Sequence, residues 1–61
     1  MVKIQNYIIN TKAITDITIS EYNERKITIR YIGGDVLYLF FETQEERDDA
    51  VSKIYTKYLE N

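Results

Sequence analysis

The chain has 61 residues, a net charge of -2 and a pI near 4.9, with neither cysteine nor histidine. At that size folding buries only roughly 60% of the surface that the unfolded chain exposes, so small domains usually add a disulfide, a metal or an oligomer interface. Disulfides, thiolate zinc sites and imidazole ligands are excluded by composition, which leaves efficient packing or association. The charge is unevenly placed: residues 1–41 hold five bases and four acids, whereas residues 42–61 hold three bases and six acids. An acidic total argues against general polyanion binding, which needs an excess of clustered Lys and Arg. No apolar run approaches a membrane span, and MVKIQNYIIN has no signal-peptide core, so the chain reads as cytoplasmic. Ten Ile, six Tyr, five Lys and four Asn without Pro or Trp suit A/T-rich codons, pointing to a bacterial or phage source.

Along the chain, residues 2–9 (VKIQNYII) are rich in strand formers, with Val2, Ile4 and Ile8 sharing one parity, and Asn10-Thr11-Lys12 reads as a turn. Residues 14–22 alternate, with Ile17 and Ile19 on one side and Asp16, Thr18 and Ser20 on the other. That pattern marks a half-buried strand, and Asn23-Glu24 offers a hairpin link to the next. Residues 25–32 place Ile27, Ile29 and Tyr31 opposite Lys26, Thr28 and Arg30. Gly33-Gly34 then turns the chain into residues 35–42, where Val-Leu-Tyr-Leu-Phe-Phe lacks any polar residue to mark its wet face.

The turn sets which of those residues face inward. A two-residue loop pairs Tyr31 with Val36, Ile29 with Tyr38 and Ile27 with Phe40. A three-residue loop pairs Tyr31 with Leu37, Ile29 with Leu39 and Ile27 with Phe41, and sets Thr28 and Arg30 against Phe40 and Tyr38. The second arrangement is preferred, because an amphipathic tyrosine tolerates water better than leucine does.

From Thr43 the period changes to that of a helix over 44–59. Thr43 and Glu46 form a capping-box pair, and Glu45, Glu46, Asp48 and Asp49 crowd the positive end of the dipole. Ala50, Val51, Ile54 and Tyr58, flanked by Tyr55 and Leu59, make the apolar stripe. The expected fold is therefore one α+β domain spanning 1–61. In it a four-stranded antiparallel meander (2–9, 14–22, 25–32, 35–42) carries one C-terminal helix on a single face.

The runs YIINTKAITDI and KITIRYIGGDVLYLFFETQEERDDAVSKI resemble the short β-rich bacterial proteins of the FlbD type. They share a strand with Asn, an Ile-x-x-Ile step, a glycine turn and a Glu-rich helix start. The chain is also similar to the C-terminal part of pleckstrin-homology-like folds, and both resemblances imply a sheet capped by a helix. The Asn-Gly turn usual in FlbD-type chains is Gly33-Gly34 here, and the resemblance brings no catalytic motif.

Catalysis is not expected: the commonest general base and the best protein nucleophile are missing, and Ser20 and Ser52 lie in no nucleophile motif. No cofactor motif or metal-ligand spacing is present, and the helix acids read as a solvated, dipole-stabilised start. Tyr22, Tyr38 and Phe40 with Arg25, Lys26 and Arg30 could form a base-stacking platform, against which the net charge weighs. The same surface suits protein association better, because one helix leaves the second sheet face uncovered. Thr28, Arg30, Tyr38, Phe40 and Tyr22 are the candidate interface of a non-enzymatic module that self-associates as a homodimer through this face or an edge strand. A phage-type or regulatory inhibitor that binds a host protein, using this surface or the acidic helix face, and a single-strand nucleic-acid binder are the alternatives.

Overall fold

The computed structural model describes residues 1–20 and 24–60. Tyr22, the end of the expected 14–22 strand and the Asn23 side of the expected hairpin link lie outside them. The elements are β1 (Val2–Ile4), β2 (Tyr7–Ile9), a short 3-10 turn (Thr11–Ala13), β3 (Ile14–Ile19), β4 (Lys26–Tyr31), β5 (Val36–Phe40) and α1 (Gln44–Glu60). They form two antiparallel sheets, β1-β2 and β3-β4-β5, with the helix at the C-terminal end.

The expected four-stranded meander is thus corrected to two plus three strands. Residues 2–9 are a hairpin, not one strand: Val2 pairs with Ile9 and Ile4 with Tyr7 around Gln5-Asn6. Gln5 takes φ +56 there, a region that side-chain-bearing residues enter at a cost, so the sequence carried no glycine to announce the turn. The turn also inverts the parity. Ile4 and Ile9 enter the core, while Ile8, which shares a parity with Ile4 in the sequence, is 72% exposed. Gln5 Nε2 donates to Phe40 O at 2.6 Å and ties this hairpin to the end of β5.

In β3 a bulge between Ile14 and Asp16 leaves Thr15 unpaired. One extra residue resets the alternation, so Ile14 and Ile17 both pack against the core despite their opposite parity. The β4-β5 register is Ile27 with Leu39, Thr28 with Tyr38, and Arg30 with Val36. It keeps the faces of the preferred three-residue register but is displaced from it by two residues. The loop is Ile32-Gly33-Gly34, closed by Tyr31 N–H on Asp35 O at 2.9 Å and Gly34 N–H on Tyr31 O at 3.1 Å. Gly33 and Gly34 take φ +101 and +100, and this placement spares Asp35 from the last loop position.

The inner face of the three-stranded sheet carries the rows Ile17-Ile29-Leu37 and Ile19-Ile27-Leu39. Against it lie Ala50 and Ile54 of α1, with Ile4 and Ile9 of the hairpin completing the core. Each fully buried Ile or Leu stabilises the fold by roughly 1.5–3 kcal/mol. Thr43 caps α1, its Oγ accepting from Glu46 N–H at 3.1 Å. Of the expected apolar stripe, Ala50 and Ile54 are buried and Val51 partly so, whereas Tyr55, Tyr58 and Leu59 stay exposed. The helix, about 25 Å long, runs on beyond what the short strands can cover. Burial pushes the Tyr31 phenol up from its ordinary value. Its neutral form is therefore favoured in the fold, a contribution complete below about pH 10 and lost as pH rises through the folded value.

Nothing lies within 4 Å of a Cβ built on Gly33 or Gly34, so a side chain there meets only the backbone penalty. Gly34→Val is expected to lower unfolding free energy by about 1–3 kcal/mol in urea titrations. An unchanged midpoint would contradict the turn.

Candidate functional site: the outer face of the sheet

Strand alternation sends the second set of β3-β4-β5 side chains away from the helix. Three rows result: Asp16-Arg30-Val36, Thr18-Thr28-Tyr38, and Lys26-Phe40. Four of the five expected interface residues (Thr28, Arg30, Tyr38, Phe40) therefore share one face, and Tyr22 lies outside the described residues. Thr28, at the centre of the middle strand, is buried beneath its neighbours, whereas Tyr38 is 55% and Phe40 67% exposed.

The polar members of this face are tied to one another. Arg30 Nη1 donates to Asp16 Oδ1 at 3.1 Å and to Thr18 Oγ1 at 2.9 Å, bridging from β4 to β3. Lys26 Nζ lies 3.6 Å from Glu24 Oε2 and sits over the rings of Tyr38 and Phe40, at 5.8 and 6.0 Å from their centroids. Such a cation over exposed rings contributes about 0.5–1 kcal/mol and holds the aromatic pair in place. Arg25, the third cation of the expected stacking platform, turns its Nε to Phe41 O at 3.3 Å. The result is an apolar strip along β5, edged by charges that are already paired.

Sequence reasoning missed Arg47. Only 8% exposed, it donates from Nη1 to Ser20 O at 3.4 Å and Glu24 O at 3.3 Å, while Nε and Nη2 reach Asp48 Oδ1. Its place three and four residues ahead of Ala50 and Val51 puts it in phase with the apolar stripe, which was the available signal. Because it pins both ends of the β3-β4 connection to α1, its role is structural, and loss of those bonds would cost about 1–3 kcal/mol. Asp16 and Thr18, which anchor Arg30, were legible only as wet-face residues.

Among the described residues, no group of three acidic side chains is placed to hold a metal ion, and no helix is long and apolar enough to cross a membrane. Comparison with protein-family models, with curated proteins and with solved structures finds no match to this chain.

Neighbouring substitutions in β5 should separate the two faces. Leu39→Ala, inside the core, is expected to cost about 2–5 kcal/mol of unfolding free energy, whereas Tyr38→Ser, which gives up the Lys26 contact to that ring, should change the isolated fold by about 1 kcal/mol or less. Denaturation at low protein concentration measures both, and equal losses would contradict the facing.

Proposed function

We propose that the chain is a cytoplasmic, non-enzymatic interaction module that binds a second copy of itself through the outer face of β3-β4-β5. The carrying observation is the exposure of Tyr38 and Phe40, side by side on a face that no described element covers. Covering a large side chain of this kind stabilises association by roughly 1.5–3 kcal/mol at full burial, and by less here because each ring is already partly covered. The charges favour a copy of the same face as the occupant. Arg30 is neutralised by Asp16 and Lys26 by Glu24, so a two-fold contact brings together neutral pairs, not like charges.

The same pairing weighs against oligonucleotide binding, which needs cations free to neutralise phosphates. Light scattering at micromolar concentration should give a mass above that of one chain. Tyr38→Lys with Phe40→Lys should halve that mass while leaving the circular dichroism spectrum unchanged. A single-chain mass before substitution, or a mass indifferent to it, would contradict the proposal.

A further inference from the structure

β3 is an edge strand, since the sheet order is β3-β4-β5. Ser20 N–H bonds to Lys26 O at 3.3 Å, which fixes the alternation of the ladder. In that alternation Asp16 and Thr18 turn their backbone groups toward β4, while Ile17 and Ile19 turn theirs to the open side. The free edge thus offers the N–H and C=O of Ile17 and Ile19.

Beside that edge, on the helix side, runs an open apolar cleft of about 380 Å³. Its apolar walls include Ile17 and Ile19 of β3 and Val51, Ile54, Tyr55 and Tyr58 of α1, and Thr15 and Asp16 of the bulge also line it. Ile19 is 42% exposed, and both tyrosines are exposed as well. Free edge strands are ordinarily guarded by proline, by a charge turned inward or by a covering segment. At the opposite edge Gln5 of the β1-β2 hairpin caps Phe40 O, at the end of β5. On β3 the bulge at Thr15 protects only the first part of the strand, and residues 17–19 carry neither proline nor charge.

We infer that the Ile17–Ile19 edge pairs antiparallel with the same edge of a second copy, about a two-fold axis at Thr18. This second surface goes beyond the sheet-face contact, and the pairing it forms is self-complementary on both faces. On the helix side Ile17 of each copy meets Ile19 of the other, both exchanging backbone hydrogen bonds, and the two clefts merge so that Tyr55 and Tyr58 cover the joined isoleucines. On the outer side Thr18 meets Thr18, a favourable cross-strand pair. Asp16 of each copy faces the Ser20 hydroxyl of the other, which leaves the two Asp16 carboxylates roughly 13 Å apart along the strands. A partner strand carrying charged side chains on the helix side would set them against Ile17, Ile19 and the apolar wall of α1, which a second copy of this edge does not.

The axis stands perpendicular to the sheet, so both helices lie on one side of a continuous sheet and both Tyr38-Phe40 strips on the other. Two such pairs can then stack through those strips, and the full assembly is a tetramer with two kinds of interface.

Mass measurement and amide exchange on four forms of the full chain test this: wild type, an edge variant, the face variant Tyr38→Lys/Phe40→Lys, and their combination. Ile19→Pro removes an N–H that the folded subunit leaves unused and blocks edge pairing. Ile19→Lys, which can extend its charge into solvent in the single subunit, is the second edge variant, in case proline perturbs the strand. The expected masses are a tetramer for wild type, a dimer for either edge variant or the face variant alone, and a single chain for the combination. The Ile17 amide should exchange slowly in wild type and at the rate of an open amide in Ile19→Lys. A dimer dissociated by the face substitutions alone, with the Ile17 amide freely exchanging, would overturn the edge pairing and leave the face contact standing. A dimer dissociated by the edge substitutions alone would sustain the edge pairing and remove the face contact. A single-chain wild type would overturn both.

Discussion

The turn at Ile32-Gly33-Gly34 determines what this protein shows to its surroundings. By closing on the Tyr31-Asp35 pair it sets Leu37 and Leu39 beside Ile29 and Ile27, and Tyr38 and Phe40 on the opposite side. A slip of one residue would invert that sorting and bring the two rings under the helix, with the leucines in water. Positive φ at both glycines is therefore a condition of the core and of the exposed strip alike. The remaining features follow: α1 packs on the leucine side, the hairpin closes that layer, and the aromatic side is left open.

Elements whose pattern repeats could be read from the sequence. β4, β5, the Thr43 cap and a helix within one residue of the observed end are written in alternation and capping chemistry, and so was the shared face of Thr28, Arg30, Tyr38 and Phe40. The hairpin at Gln5-Asn6 was not legible, since a glutamine at positive φ has no sequence signature. Thr15 hides in the same way, because a bulge is one residue too many in a pairing that only the partner strand reveals. The two-residue displacement of the β4-β5 register arose because the glycines fall at the second and third loop positions instead of the first and second. Arg47 sits among acids at the helix start, where its charge gives no sign of burial, yet its in-phase position buries it against two carbonyls.

A chain of 61 residues without cysteine or histidine has few means of adding to its own stability. One helix and one hairpin cover a single face of a three-stranded sheet, and the buried set is a short list of aliphatic residues around Ile27, Ile29 and Leu39. Of the exposed large apolar residues, Val36, Tyr38 and Phe40 share the outer strip and Ile19, Tyr55 and Tyr58 flank the β3 edge, while Met1, Tyr7, Ile8, Ile32 and Leu59 belong to neither surface. Among the described residues, Lys26 and Arg30 beside the strip and Asp16 beside the edge are paired within the chain. In the proposed association of like copies, such surfaces would leave water without setting like charges against each other.

The central claim, that a second copy covers the aromatic strip, can be observed directly at the rings. In solution NMR with a soluble paramagnetic agent, the ring signals of Tyr38 and Phe40 should lose their sensitivity to the agent as protein concentration rises. Those of Tyr7, exposed on the separate β1-β2 hairpin, should keep theirs. Rings of Tyr38 and Phe40 that stay equally accessible at every concentration would contradict the account.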